Sequence, residues 1–216
     1  MAQSAAEAMY AAMVDGEERL GWLLHFHPGQ EELPGRDRHC SVVRCFFIGH
    51  DGAHFSVDVP FRPYFLVIPA EGKADQARGG LQRQFNRFIA RISEVRKEDL
   101  DMRNHLVKGH QRELLKVEFH NVQDLVSVRN QLFRVLKTGA DKPGYTSEYR
   151  RRDQPDLKAF AALIVGLREY DVPYHERVAI DLEVRCAKWY AVRRLAVDEV
   201  ELRHEAEVVR WAEPRV

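Results

Sequence analysis

No run of this 216-residue sequence approaches the roughly 20 consecutive apolar residues that a membrane helix needs. The first stretch, Met1 to Glu18, is Ala-rich and acidic, and lacks the basic n-region and apolar core of a secretory signal. Cysteine is scarce. Cys40, Cys45 and Cys186 make an odd count with no Cys-x-x-Cys pair, which argues against a disulfide framework and fits reduced thiols in a cytosolic or nuclear protein. Net charge is lacking too, because 33 Lys and Arg balance 33 Asp and Glu. A free-standing nucleic-acid module is usually basic, so the balance counts against one, while a basic stripe on one face stays open. Gly-x-Ser-x-Gly, Gly-x-x-x-x-Gly-Lys-Ser/Thr and Gly-x-Gly-x-x-Gly are all absent, which removes the usual signatures of an α/β-hydrolase, a P-loop and a dinucleotide site. There is no internal repeat and no low-complexity tract.

What is present is the composition of a soluble globular chain, 45% hydrophobic and 31% charged, long enough for one large domain or two small ones. The order of patterns predicts an α+β fold. Residues 1–18 read as a flexible lead-in. Leu20 to His27 alternates as a first strand, and the Pro/Gly/charge-rich 30–39 reads as a loop. Ser41 to Ile48 and His54 to Val59 flank Asp51-Gly52, a strong hairpin signal. Tyr64 to Ile68 is a short strand ended by Pro69. Leu81, Phe85, Phe88, Ile89 and Ile92 form one helical stripe, predicting a helix over 74–90. Ile92 to Arg96 and Glu113 to Phe119 read as strands around a charged loop. Asn121 stands as an N-cap for a helix carrying Val122, Leu125, Val126, Leu132, Phe133 and Leu136 on one face. Strand, helix, strand, strand, helix over 64–136 is most of a ferredoxin-like or RNA-recognition-like unit. The expected domains are therefore 19–137 as a β-rich domain with that unit, 138–156 as a linker, and 157–216 as a helical joint and strands. Leu157, Phe160, Ala161, Ile164 and Leu167 predict a helix, followed by a Pro173 corner, a second short helix, a strand, and a strand or short hairpin over 197–209.

Candidate sites are few. His25-x-His27 puts two imidazoles on one strand face, with His39, Cys40, Cys45, His50 and His54 nearby in sequence. A zinc site needs four converging ligands, and none of the usual spacings occurs, so these read as surface histidines beside a turn and buried free cysteines. Asp99/Asp101, Glu169/Asp171 and Asp181/Glu183 are paired in sequence only, as on any solvated face. Basic clusters are more suggestive. Arg103, Lys108, His110 and Arg112 flank one strand, Arg150 to Arg152 lie in the linker, and Lys188, Arg193 and Arg194 accompany Trp189 and Tyr190. Phosphate contacts with aromatic stacking would use such residues; a solvated face with Trp189 in the core would use the same ones. The stretch 167–193 mixes Tyr170, Tyr174, Trp189 and Tyr190 with charges, which suits a packed joint better than an active site.

Several stretches together resemble the N-terminal region of B-family DNA polymerases, the epsilon-type catalytic subunits most closely. They are Gly-Trp-Leu-Leu-His-Phe-His-Pro (21–28), Val-Asp-Val-Pro-Phe-Arg-Pro-Tyr-Phe (57–65), Lys-Glu-Asp-Leu-Asp-Met-Arg-Asn-His-Leu-Val (97–107), Val-Glu-Phe-His-Asn-Val-Gln-Asp-Leu-Val-Ser-Val-Arg (117–129) and the whole of 167–193. The segment from Lys108 to Glu113 departs from the family pattern, and the linker is short. The resemblance implies the family's N-terminal domain, truncated before a ribonuclease H-like exonuclease domain, with Tyr170, Arg177, Asp181 and Trp189 as a structural motif. It implies a parent that is a nuclear, DNA-directed nucleotidyltransferase with 3′→5′ exonuclease activity, working in leading-strand synthesis. The parent's Mg²⁺, iron–sulfur cluster and zinc would belong to regions absent here, as would its contacts with accessory subunits. The fragment itself would be inactive, without metal or catalytic residues. It would pack on the remaining polymerase domains and contact the template strand weakly, with Arg103, Lys108, Arg112, Lys188 and Arg193 as the contact residues. Two other readings stand beside this one: a stand-alone ferredoxin-like binding or regulatory module, and a small metalloenzyme using the hairpin histidines.

Overall fold

The computed structural model describes residues 9–32, 39–98, 111–138, 162–196 and 198–204. The chain divides into two compact units, one made of 1–61 with 172–216 and the other of 62–171.

The first unit is built on β1 (Ala11–Ala12), β2 (Glu18–Glu32), β3 (His39–Gly49) and β4 (His54–Pro60) from the front of the chain. The back of the chain adds α3 (Tyr174–Asp181), β9 (Trp189–Ala196) and β10 (Glu199–His204). The six strands run in the order β1-β4-β3-β2-β9-β10. Asp51-Gly52 closes the β3–β4 hairpin: Gly52 takes φ +80°, Gly49 N–H donates to the Ala53 carbonyl at 2.8 Å, and Ala53 N–H donates to Asp51 Oδ1 at 3.0 Å. One face of the sheet carries Leu23, Val43, Cys45, Phe47, Phe55, Val57, Tyr190 and Val192, which cluster with Val178 and Val184 and with Met13 ahead of β2. Proline fixes the entry to α3, since Pro173 occupies its N-cap position and Arg177 N–H bonds back to the Pro173 carbonyl at 2.9 Å. Tyr174 Oη donates to the Phe61 carbonyl at 2.7 Å, and burial pushes its phenol above the usual tyrosine range.

Between Leu23 and His25 the register of β2 against β3 slips by one residue, leaving Leu24 unpaired and exposed. An extra residue in one strand reverses the alternation beyond it. Leu23 therefore points into the core, while His25 and His27 stand on the opposite face.

The second unit contains β5 (Tyr64–Pro69), α1 (Ala74–Phe85), β6 (Ile89–Glu98), β7 (Gln111–Phe119), α2 (Val122–Thr138) and β8 (Ile164–Arg168). Its four strands are mutually antiparallel in the order β6-β7-β5-β8. Phe65, Val67, Leu115, Val117 and Phe119 project from one face and bury Ala77, Leu81 and Phe85 of α1 and Leu125, Val128 and Leu132 of α2. Asn121 caps α2 as the sequence predicts, with its Oδ1 accepting from Asp124 N–H at 2.8 Å. Replacing Asn121 with alanine removes that acceptor and is expected to cost about 1 kcal/mol. A urea titration checks this, and Asn121→Asp should keep most of the stability.

Two expected helices differ. α1 ends at Phe85 instead of running to residue 90, because the chain turns there (Phe88 N–H to the Phe85 carbonyl, 2.9 Å) and Ile89 already begins β6. Its apolar stripe continues past the helix because Phe88, Ile89 and Ile92 pack into the same core from the turn and the next strand. The helix expected through Ile164 and Leu167 is instead β8 over its described part; residues 157–161 lie outside the described residues. The reason is a bulge: Ile68 faces Gly166 and Pro69 faces Ile164, so Val165 is unpaired and 63% exposed. The extra residue lets two positions three apart point into one core, which imitates helical spacing. The linker at 138–156 lies outside the described residues beyond Thr138. Over its described part the segment 197–209 is one strand, β10, rather than a hairpin of its own, and it pairs antiparallel with β9.

Candidate nucleic-acid interface

The face of the six-stranded sheet opposite its core is unusually rich in rings. Across the strands, Trp189 stands opposite Trp22, Trp22 opposite Ile48, and Ile48 opposite His54. The two indoles meet edge to face, with centroids 5.8 Å apart at 74°. One step along, the Phe46 ring is covered by His25 (4.5 Å, 10°), His27 (5.2 Å, 26°) and Tyr10 (4.8 Å, 77°), and Tyr10 stacks on His54 at 5.1 Å. Phe46 is thereby buried, His25 is exposed, and Trp22, His27, His54 and Trp189 are half-buried. Arg44 crosses the same face: its Nε and Nη2 donate to the two Asp58 oxygens at 2.7 and 2.8 Å, and Nη2 also donates to Glu31 at 2.6 Å. The hydrogen bonds and charge of Asp58 hold the guanidinium well above its ordinary pKa.

Of the five cations expected to contact DNA, Lys188 and Arg193 belong to this unit. Lys188 is exposed beside Trp189, and its carbonyl accepts from Leu23 N–H at 2.9 Å, extending the ladder toward Trp22. Arg193 is exposed on β9, opposite Glu18 and Glu201, with Nε 4.0 Å from Glu18. Arg112 belongs to the other unit, where it stands opposite Lys97 and lines an open cavity of about 680 Å³ with Arg96 and Gly72. Arg103 and Lys108 lie outside the described residues. Of the four motif residues, Tyr170 belongs to the second unit: its ring packs edge-on against Phe133 at 4.7 Å, and its carbonyl accepts from Arg129 at 3.5 Å. Arg177 is 6% exposed within α3, Asp181 is the exposed last residue of that helix, and Trp189 packs on Trp22. Sequence reasoning missed Trp22, Tyr10, Phe46 and His54 as neighbours of this surface. His25-x-His27 was the only local hint, and pairing it with the others requires the strand register.

No catalytic geometry accompanies these groups. Among the described residues there is no group of three or more His, Cys, Asp or Glu that could hold a metal ion, and no helix long and apolar enough to cross a membrane. Glu169 is held by Lys97 at 3.1 Å, and Asp181 and Glu183 are exposed; Asp99 and Asp101 lie outside the described residues. Cys45 is buried, and desolvation pushes its thiol up to about 12, so it is inert as a nucleophile. Cys40 is buried as well, whereas Cys186 is exposed. Native protein treated with Ellman's reagent is expected to release the equivalent of Cys186 alone at first, and the other two thiols only on unfolding.

Comparison with known proteins decides the family. No protein-family model matches the chain. A DNA polymerase epsilon catalytic subunit of Arabidopsis thaliana is 36% identical over 207 residues, covering 94% of this chain and 9% of that protein. The corresponding proteins of Emericella nidulans and Schizosaccharomyces pombe are 36% and 33% identical, each over 82% of this chain and 8% of their own length. This chain belongs to the B-family DNA polymerases, on the epsilon branch. It spans about a tenth of the length of the curated epsilon polymerases it matches. The family B DNA polymerase of the hyperthermophilic archaeon Pyrobaculum calidifontis shares the fold, with a TM-score of 0.50 at 19% identity over 81% of this chain and 18% of that one.

Proposed function

We propose that this epsilon-type chain is the N-terminal segment of a replicative, nuclear DNA polymerase, and that it serves as a template-side structural domain with no chemistry of its own. The observation that carries the reading is the match itself: identity of 31–36% over most of this chain, confined to about a tenth of each relative. Nucleotidyl transfer in such enzymes needs metal ions held by clustered carboxylates. The Mg²⁺, iron–sulfur and zinc sites of the parent, and its accessory subunits, belong on this reading to other regions of the polypeptide. The second unit is ferredoxin-like, a reading supported by its strand–helix–strand–strand–helix–strand order and its four antiparallel strands. Tyr170, Arg177, Asp181 and Trp189 brace the fold; the packing of Tyr170 on Phe133 and the burial of Arg177 support that role. Lys188, Arg193 and Arg112 contact the DNA backbone without regard to sequence.

The coding sequence beyond the codon for Val216 tests the assignment. An in-frame continuation carrying an Asp-Ile-Glu strand of an exonuclease domain within a few residues is the expected result. A stop codon in the native gene, followed by unrelated sequence, would support a stand-alone module instead.

A further inference from the structure

We infer that the β6–β7 hairpin is a strap that closes over the outer face of the four-stranded sheet, the face turned away from α1 and α2, and is latched there by Lys97 and Glu169. The inference goes beyond the template-side role and does not depend on it. Its first support is that this sheet is apolar on both faces. Side chains alternate along a strand, so with Phe65, Val67 and Leu115 turned toward the helices, Leu66, Ile68 and Leu114 occupy the outer face. Yet those three are only 1–2% exposed, and Val95, opposite Leu114, is half-buried beside them. The second support is a contact that a flat sheet would not allow. Lys97 Nζ donates to both Glu169 oxygens, at 3.1 and 3.4 Å. Lys97 lies near the far end of β6, opposite Arg112 and on the outer face, whereas Glu169 follows Arg168 of β8, which faces Leu66. The registers put the two at diagonal corners of the sheet, about 20 Å apart if it were flat, which is more than their side chains can bridge. Their contact therefore records a curl of the β6–β7 arm across the outer face, over Leu66, Ile68 and Leu114. Third, Glu169 takes φ +57°, a left-handed conformation that a glutamate keeps only where its surroundings fix it. The arm also has room to move, because Arg96, Arg112 and Glu113 share the open cavity of about 680 Å³ with Ile68, Pro69 and Val165. An ion pair whose side chains are 45% and 30% exposed is weak and sensitive to salt, which suits a latch that opens. Opening would bare a contiguous apolar row.

The test places a thiol under the strap. Ile68→Cys is made in the whole 216-residue chain together with Cys186→Ser, which removes the exposed native thiol, and its reaction with Ellman's reagent is timed at low salt. Slow labelling is expected. Lys97→Glu should raise the rate about two- to fivefold, the most that so exposed an ion pair can hold. High salt should do the same to the protein with the latch intact and little to the Lys97→Glu variant. Adding Glu169→Lys to Lys97→Glu should restore slow labelling, and no restoration would overturn the latch. Val95→Cys, at a half-buried position of the same row, takes the place of Ile68→Cys if that variant fails to fold. Val128→Cys, at a fully buried position on the helix side, should stay protected throughout. If it is labelled as fast as the thiol at position 68, the whole unit is unfolding and the strap is overturned. Fast labelling at position 68 with the latch intact would also overturn it, as would equal rates with and without Lys97→Glu at both salt concentrations.

Discussion

Phe47→Ala is expected to destabilise the first unit by about 3–5 kcal/mol, enough to unfold a marginal domain. Phe47 is fully buried near the C-terminal end of β3, stacked on Phe55 with centroids 5.1 Å apart at 11°, and Tyr190 approaches it edge-on at 6.5 Å. Removing the ring deletes both aromatic contacts and leaves a void that central strands cannot close. The position is closed from the other side as well. Gly21 lies directly behind the pair, and a Cβ there would come within 2.6 Å of the Phe55 ring and 2.8 Å of Phe47 Cβ. The space is filled only because residue 21 has no side chain. Thermal or urea unfolding followed by far-UV circular dichroism measures the loss, and Phe47→Leu should cost markedly less than Phe47→Ala. A midpoint unchanged by Phe47→Ala would contradict the packing described.

Arg44→Ala ranks second. Its guanidinium is the shared partner of Asp58 and Glu31, carried on neighbouring strands, and its side chain is only 21% exposed. Truncation leaves two carboxylates facing one another across β2, β3 and β4 and removes three charge-assisted hydrogen bonds. The partners are part-exposed, so solvent screening holds the expected loss to about 1–3 kcal/mol, below the value for a fully buried pair. Combining Arg44→Ala with Asp58→Ala should cost less than the sum of the single changes, because the two residues act through one contact. Strict additivity in that cycle would show that the pair contributes nothing.

The sequence was most readable where a local signal was also the structural cause. Asp51-Gly52 made the hairpin, Asn121 made the cap, and Pro173 fixed the start of α3, each acting within a few residues of itself. It was least readable at the bulges. At Leu24 and Val165 one unpaired residue changes which face its neighbours occupy, and no local pattern announces it; at Val165 the outcome was a strand with helical spacing. The candidate interface shows the same limit. Lys188, Arg193 and Trp189 are close in sequence and were visible together, but Trp22, His25 and Tyr10 reach them only through the pairing of β1, β4, β3, β2 and β9. The family resemblance, carried by whole stretches instead of single positions, survived all of these local misreadings.

One gel tests the central claim most directly. Purified chain is incubated with a 5′-labelled primer on a longer template, Mg²⁺ and all four deoxynucleotides, and the same mixture is run under native and denaturing conditions. The account predicts a weak, salt-sensitive shift in the native lanes and a primer neither lengthened nor shortened in the denaturing ones. Robust extension or trimming by pure protein would contradict it.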